Sequence, residues 1–269
     1  MTKIAVVGAT GRMGKVLITA VSANEKATLT AASVRPGGEG AGSVDAGAIA
    51  GVGDLGVLLV DDLTAVIDQC DVVIDFTTPQ ATLEHLGICA NANKKIVVGT
   101  TGFSPEQLKQ LQTFSESHAI AFAPNFSIGV NAAFHLLGVA AEILGGDVEI
   151  DITEAHHKHK IDAPSGTALM LGKSAAEARD KKLSDLKKAS RDGIVGKRKS
   201  EEIGFVVLRG GDVVGEHSVL FCNEGERIEL VHKATDRSIF ASGALRAAYW
   251  AATAKPGLYS LSDVLNLGG

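Results

Sequence analysis

"VVGATGRMG", Val6 to Gly14, carries a β-branched run through three glycines into an apolar pattern of different period. Lys3 to Val7 reads as a short strand, and from Arg12 onward Met13, Val16, Leu17, Ala20 and Val21 recur at helical spacing. Strand, glycine turn and helix in that order let the backbone come close to a pyrophosphate, with the helix N-terminus offering unpaired N–H groups and a positive dipole end. The spacing of Gly8, Gly11 and Gly14 is Gly-x-x-Gly-x-x-Gly, not the usual dinucleotide fingerprint. A turn needing glycine only for tight helix–strand packing is the competing explanation.

The pattern repeats downstream. "ATLTAASV", "DVVIDFT", "KKIVVGTT" and "AIAFAPN" read as strands, alternating with helices over "LTAVIDQC", "QATLEHLGICANAN" and "SPEQLKQLQTFSESH". Strands that are apolar throughout and alternate with helices predict a Rossmann-like, doubly wound parallel sheet covered on both faces. The glycine-rich segment from Arg35 to Gly56 shows no period and is expected to be a long loop. After Asn125 the texture changes. Ser127 to Gly145 reads as a long apolar helix, "DVEIDITEAH" alternates with period two, and "TALMLGKSAAEARDKK" is a further helix. The basic stretch from Lys181 to Lys199 has no core pattern and reads as a surface excursion. "EEIGFVVLRGGD", "GEHSVLFCN" and "RIELVHKAT" read as antiparallel strands, and "SIFASGALRAAYWAAT" as a last helix. The expected organisation is α/β: a dinucleotide-binding domain over 1–126 plus 237–269, and an inserted α+β substrate-binding and oligomerisation domain over 127–236.

The chain of 269 residues, 45% of them hydrophobic, is long enough to bury two small cores. A net charge of -5 gives no electrostatic reason to expect nucleic acid or an anionic membrane as partner. Cys70, Cys89 and Cys222 are widely separated and contain no Cys-x-x-Cys pair, so buried thiols in a reducing compartment are expected in place of disulfides. With no secretory signal order and no membrane-length apolar run, a cytoplasmic protein is expected.

At the end of the second strand, where an acidic residue would bond the adenosine ribose, the chain reads "AASVRPG". Val34 and Arg35 occupy that place: Arg35 is a candidate partner for a 2′-phosphate, or a solvated arginine at a strand end. "VVGTTGF" and "FAPNFSIGVN" lie at the ends of later strands, where such sheets present loops to ligands.

"EAHHKHKIDAPSGTAL", Glu154 to Leu169, has three histidines and two lysines within five positions, followed by a helix start. In an alternating strand His156 and His157 face opposite ways, with His159 and Lys160 at or beyond its end. Metal is disfavoured, because lysines beside the site would repel a cation and carboxylates at ligand spacing are missing. Ser165 lacks the Gly-x-Ser-x-Gly elbow of a serine nucleophile. An anion site fits better: Lys158 and Lys160 supply positive charge, and Ser165, Gly166 and Thr167 open a helix whose N–H groups can hold a carboxylate. A merely solvated charge run is the alternative.

These stretches, with "DFTTP", "RGGDVVGEHSV" and "FASGALRAAYW", closely resemble the 4-hydroxy-tetrahydrodipicolinate reductase (dihydrodipicolinate reductase) family along essentially the whole chain. The resemblance implies a nucleotide-binding and a substrate domain enclosing a cleft, and a homotetramer built through the substrate-domain sheets. It implies NAD(P)H-dependent reduction of a small cyclic imine with two carboxylates, in diaminopimelate and lysine biosynthesis. Carried over residue by residue, His156 and Lys160 match the catalytic pair, and His157, Gly166 and Thr167 the substrate contacts. The cofactor contacts match Gly8, Ala9, Thr10, Gly11, Arg12 and Met13, then Gly99, Thr100 and Thr101, then Ala123, Pro124, Asn125 and Phe126. Many members carry an acidic residue where this chain has Val34. With valine there and Arg35 beside it, NADPH is the expected cofactor, with NADH still accepted.

Two other readings remain open on sequence. Another two-domain NAD(P)-dependent reductase, such as a homoserine or aspartate-semialdehyde dehydrogenase, would explain the first domain but not the histidine-rich motif. A dinucleotide sensor would have no use for proton-donating groups.

Overall fold

The computed structural model describes residues 1–199 and 201–267, in two compact units. The first contains residues 1–128 and the segment from Arg237 onward, and the second runs from Gly129 to Asp236.

Unit one begins with β1 (Thr2–Val7), α1 (Arg12–Ser22), β2 (Ala27–Ser33), α2 (Ala46–Ala50), β3 (Leu59–Val60), β4 (Val72–Asp75), α3 (Pro79–Asn91), β5 (Lys95–Val98), α4 (Pro105–Ser115) and β6 (Ala119–Phe122). β1, β2, β4, β5 and β6 pair in parallel. Alternate residues of β1 serve two separate cores: Ile4 and Val6 join Leu17 and Ile18 of α1, while Ala5 and Val7 join Leu86 of α3 and Leu111 of α4. A strand buried on both faces must be apolar at every position, which is why it shows no alternation.

Two expectations fail here. The segment from Leu63 to Cys70 is not a helix but two 3₁₀ turns, Leu63–Ala65 and Ile67–Gln69, broken at Val66, whose φ of -124° leaves the helical region. The glycine-rich segment is not a plain loop. The Asp45 carboxylate accepts from the amides of Gly47 (2.7 Å), Leu55 (2.9 Å) and Val57 (2.9 Å), which starts α2 and closes the segment on itself. Those amides, with Leu55 contributing most, hold the Asp45 carboxyl below its ordinary range.

Unit two contains α5 (Ile128–Leu144, which starts at the boundary), β7 (Glu149–His156), α6 (Gly166–Glu177), α7 (Leu183–Leu186), β8 (Lys187–Lys188), β9 (Ile203–Arg209), β10 (Gly215–Asn223) and β11 (Glu226–Ala234). Its sheet runs in the order β11-β10-β7-β9-β8. β10 is antiparallel to β7 and to β11, but β9 is parallel to β7, so the expected all-antiparallel sheet is in fact mixed. The connection through α6 returns the chain to the end where β7 began, and a crossover of that kind forces the parallel pairing. The basic stretch is also built in: Leu186 is buried, and Arg198 donates to Asp151 (2.8 Å) and to the carbonyls of Ile150 (2.8 Å) and Glu202 (2.6 Å). Leu137 and Ala141 of α5 and Leu171 and Ala175 of α6 cover one sheet face at Ile150, Ile152, Phe205, Val219 and Phe221. Each such leucine or isoleucine stabilises the fold by about 1.5–3 kcal/mol. Val206, Leu208 and Val231 project from the opposite face and are exposed.

The chain then returns to unit one as α8 (Ser238–Ala251), β12 (Gly257–Tyr259) and α9 (Leu261–Leu265). α8 packs so closely that a Cβ at Gly243 would lie 1.8 Å from the Phe126 carbonyl oxygen. β12, which the sequence did not announce, pairs in parallel with β6 and completes the order β12-β6-β5-β4-β1-β2-β3. Strand order therefore reverses between β1 and β4, the position at which sheets of this class hold their ligands.

Candidate active site

In unit one the sequence-selected loops all follow the carboxyl ends of parallel strands. Gly8 has φ of +66°, and a Cβ there would lie 2.7 Å from Thr77 Cγ2; one at Gly14 would lie 2.2 Å from the Gly8 carbonyl oxygen. The turn thus has room for backbone only. Gly11 caps α1 without a side-chain hydrogen bond, so the first amides of that helix keep their donor capacity for a ligand. Ala9 is buried beneath the turn, Thr10 and Arg12 are exposed, and Met13 is half-buried.

A cavity of about 380 Å³ opens beside Gly8, lined among others by Val34, Arg35, Asp61, Thr77 and His85. Val34 is buried in the core and offers this space only an apolar contact. Arg35 is exposed, with no ion pair among the described residues. Asp61 follows β3 and accepts from Gly37 N at 3.2 Å, so a carboxylate does reach this cavity, from a different strand than expected. Asp75, fully buried, accepts from Thr77 N (2.8 Å) and Thr77 Oγ1 (2.6 Å) and pairs with His85 Nδ1 (2.8 Å). The Thr100 hydroxyl is committed to this cluster, 2.9 Å from Thr82 Oγ1. Only its backbone is left for a ligand. Gly99 passes Phe76 so closely that a Cβ would stand 2.2 Å from the ring. Ala123 and Phe126 are buried, Pro124 is exposed, and Asn125 Oδ1 accepts from Ser127 N at 2.8 Å.

In unit two the last turn of the sheet gathers a polar network. His156 ends β7, and its Nδ1 lies 2.6 Å from Glu154 Oε2. Glu154 is buried, accepts from Ser165 N at 2.9 Å, and meets both prongs of the Arg209 guanidinium. Burial acts to raise the Glu154 carboxyl, but Arg209, His156 and the Ser165 amide outweigh it and hold it below its ordinary range. Burial lowers His156, only partly offset by Glu154, with Lys160 and Arg209 adding to the depression. Lys160 Nζ pairs with Asp162 Oδ1 at 2.8 Å, and Arg209 also donates to the Asp162 carbonyl at 2.6 Å. Ser165 caps α6 by accepting from Ala168 N (3.1 Å) and lies 2.9 Å from His217 Nε2. The first turn of α6, Gly166 and Thr167, therefore opens beside the histidine–lysine group. Burial first, and the neighbouring His156 second, push His217 down to about 4.

Residues 2–126 match the sequence model for the dihydrodipicolinate reductase N-terminus, and residues 129–265 that for its C-terminus. The chain belongs to the dihydrodipicolinate reductase family. It is 51% identical over 267 residues to the 4-hydroxy-tetrahydrodipicolinate reductase of Hahella chejuensis, covering 99% of this chain and 100% of the relative. The dipicolinate-bound dihydrodipicolinate reductase from Paenisporosarcina sp. TG-14 superposes with a TM-score of 0.75 at 26% identity, covering 98% of each chain. An amine dehydrogenase from Mycobacterium smegmatis, at 14% identity and TM-score 0.61 over 97% of this chain and 95% of its own, shares the fold. The reductase is thus a NAD(P)H-dependent oxidoreductase with a Rossmann-type sheet.

Within this reductase the structure brings His156, Lys160, Gly166 and Thr167 to one end of the unit-two sheet. His157 donates from its backbone to Val213 O at 2.7 Å, with its ring 6.1 Å from that of His159. Lys158 and His159 are exposed. The groups that sequence reasoning passed over are partners of the chosen ones. Arg209 heads the family stretch "RGGDVVGEHSV", but it lies 55 residues from Glu154 and no local spacing reveals that pairing. Asp75 carried a signal in the sequence, a carboxylate ending the apolar strand β4. Among the described residues no group of three acidic, histidine or cysteine side chains is placed to hold a metal. Cys70, pushed up to about 11 by burial, and Cys89, raised by the same cause, are inert thiols, while Cys222 is half-buried and so departs from the expected buried set.

Proposed function

We propose that this reductase converts 4-hydroxy-tetrahydrodipicolinate, by way of dihydrodipicolinate after loss of water, to tetrahydrodipicolinate in diaminopimelate and lysine biosynthesis. The observation that carries this is the grouping of His156, Lys160 and the start of α6 around the Glu154–Arg209 pair, in a chain that matches the family from end to end. A ring bearing two carboxylates needs cationic and N–H donors together with a group that exchanges a proton near neutral pH. Lys160, Gly166, Thr167 and His157 fit the first need, and His156 the second.

The Gly8 turn and the uncapped start of α1 fit a dinucleotide pyrophosphate, because Gly8 lines the cavity with backbone only and Gly14 lets α1 pack directly on the turn. Bound NAD(P)H supplies the hydride. Around it, Ala9 to Met13, Gly99 to Thr101 and Ala123 to Phe126 present backbone, and Arg35 pairs with a 2′-phosphate. NADPH is thereby preferred and NADH accepted. On the substrate, ring carbon four gains the hydride, the conjugated electron pair shifts along the ring, and Lys160 or His156 gives the balancing proton. Lys160 is paired with Asp162 beforehand and exchanges that carboxylate for one of the substrate's.

The exposed Val206, Leu208 and Val231 on the uncovered sheet face support assembly as a homotetramer through this sheet. No described helix is long and apolar enough to cross a membrane, and the proposed location is the cytoplasm. Following NADPH absorbance with freshly made product of dihydrodipicolinate synthase tests the function. Rapid, enzyme-dependent loss of absorbance is expected, and none with aspartate semialdehyde in place of that product.

A further inference from the structure

We infer that Glu154 is the positioning residue of the site: it holds the His156 ring with Nδ1–H turned inward and Nε2 presented to the reaction, while Arg209 clamps it and ties the pair to the loop carrying Lys160. The inference rests on the proposed proton-exchanging role of His156.

Three observations carry it. Glu154 is essentially inaccessible, so its carboxylate contacts no substrate, yet its Oε2 lies 2.6 Å from His156 Nδ1. An ionised carboxylate only accepts hydrogen bonds, so Nδ1 must carry the proton. In the neutral ring this leaves the lone pair on Nε2, which stands on the Gly215 side of the ring: a Cβ at Gly215 would come within 3.1 Å of it. Second, the carboxylate is itself fixed from two further directions, by Ser165 N at 2.9 Å and by Arg209 Nη1 (2.7 Å) and Nη2 (2.8 Å). Third, Arg209 also donates to the Asp162 carbonyl at 2.6 Å, and Asp162 holds Lys160. One guanidinium from β9 thus fixes both the partner of His156 and the loop of Lys160. A histidine without that acceptor would exchange tautomers and present a protonated Nε2 in part of its encounters.

The charged and titratable groups around His156 are Glu154 on its own strand, Arg209 on β9, His217 on β10 at 5.2 Å between ring centroids, and Lys160 on the following loop. Glu154 is the only anion of the four. Removing its charge must therefore make the imidazolium harder to form.

The first measurement uses the wild-type protein with ¹⁵N-labelled histidine. At neutral pH the His156 signals, assigned by their loss in His156→Ala, should report a protonated Nδ1 and an unprotonated Nε2. The opposite tautomer overturns the inference. The second compares Glu154→Gln with wild type: kcat should fall about 100-fold with KM within about threefold, since an orienting carboxylate acts through its histidine and not on substrate. The kinetic pKa belonging to His156 should move down in the same variant. A loss caused only by loosened packing would leave that pKa in place. If the single variant does not fold, Glu154→Gln with Arg209→Gln removes both charges together and is read by the ¹⁵N signals alone, since loss of Arg209 offsets the pKa shift: His156 should no longer be held with Nδ1 protonated, and an unchanged tautomer overturns the inference. Unchanged kcat and pKa in a folded single variant overturn the inference while leaving the proposed function intact. Normal turnover in His156→Ala would instead overturn the catalytic reading on which it rests.

Discussion

Arg209 meets Glu154 with both prongs of its guanidinium, 2.7 Å to Oε2 and 2.8 Å to Oε1, at the end of a sheet where the carboxylate has no access to water. Two-pronged pairing supplies direction as well as charge, and lysine could not reproduce it. Arg209→Leu strands a buried carboxylate, and about 3–5 kcal/mol of stability should be lost at neutral pH, measured by urea unfolding. Arg209→Lys should recover part of that stability but little of the turnover.

His217 makes stability depend on pH. Its folded-state value, about 4, lies below the ordinary 6.5, so the folded protein binds fewer protons than the unfolded chain between those values. The stabilisation is fully present above pH 6.5 and is lost as pH falls toward 4. The loss has an upper bound on the order of 3 kcal/mol. Thermal unfolding across this window should show wild type losing more stability than His217→Gln.

His156→Ala and Lys160→Ala should each lower kcat by about 10²–10⁴-fold while circular dichroism and NADPH binding stay at wild-type values. Thr167→Val should act on KM for the substrate, consistent with a carboxylate held at the start of α6. Steady-state kinetics on purified variants separates these effects.

The proposed cofactor preference is tested at Arg35 and Asp61, two side chains of opposite charge that line one cavity. NADPH should be favoured over NADH by about 10-fold in kcat/KM, and Arg35→Ala should abolish most of that ratio. Asp61→Asn removes a carboxylate near Gly37 and should move the ratio further toward NADPH. An unchanged ratio in Arg35→Ala would remove "SVRPG" from phosphate recognition.

Local periodicity made the parallel sheet of unit one legible, because β1, β4 and β5 are buried on both faces and their sequences show it. The glycine turn was legible for the same reason: a position with no room for Cβ admits one residue type. What stayed hidden depends on contacts between distant segments. Asp45 organises the glycine-rich segment through amides two, ten and twelve residues away. The parallel pairing of β9 depends on where the crossover ends, which no alternation in "IGFVVLR" encodes. In the site, His156 and Lys160 stood out by their chemistry and by the family motif, whereas Arg209, which heads the family stretch "RGGDVVGEHSV", gained a role only through its geometry. Val34 was read as a missing carboxylate, but Asp61 reaches that cavity from another strand.

The most direct test follows the transferred hydride itself. With NADPH carrying deuterium at the transferable position and freshly made substrate, NMR of the product should show one deuterium, at ring carbon four of tetrahydrodipicolinate. Product without deuterium, or with deuterium at another ring carbon, would contradict the proposed reaction.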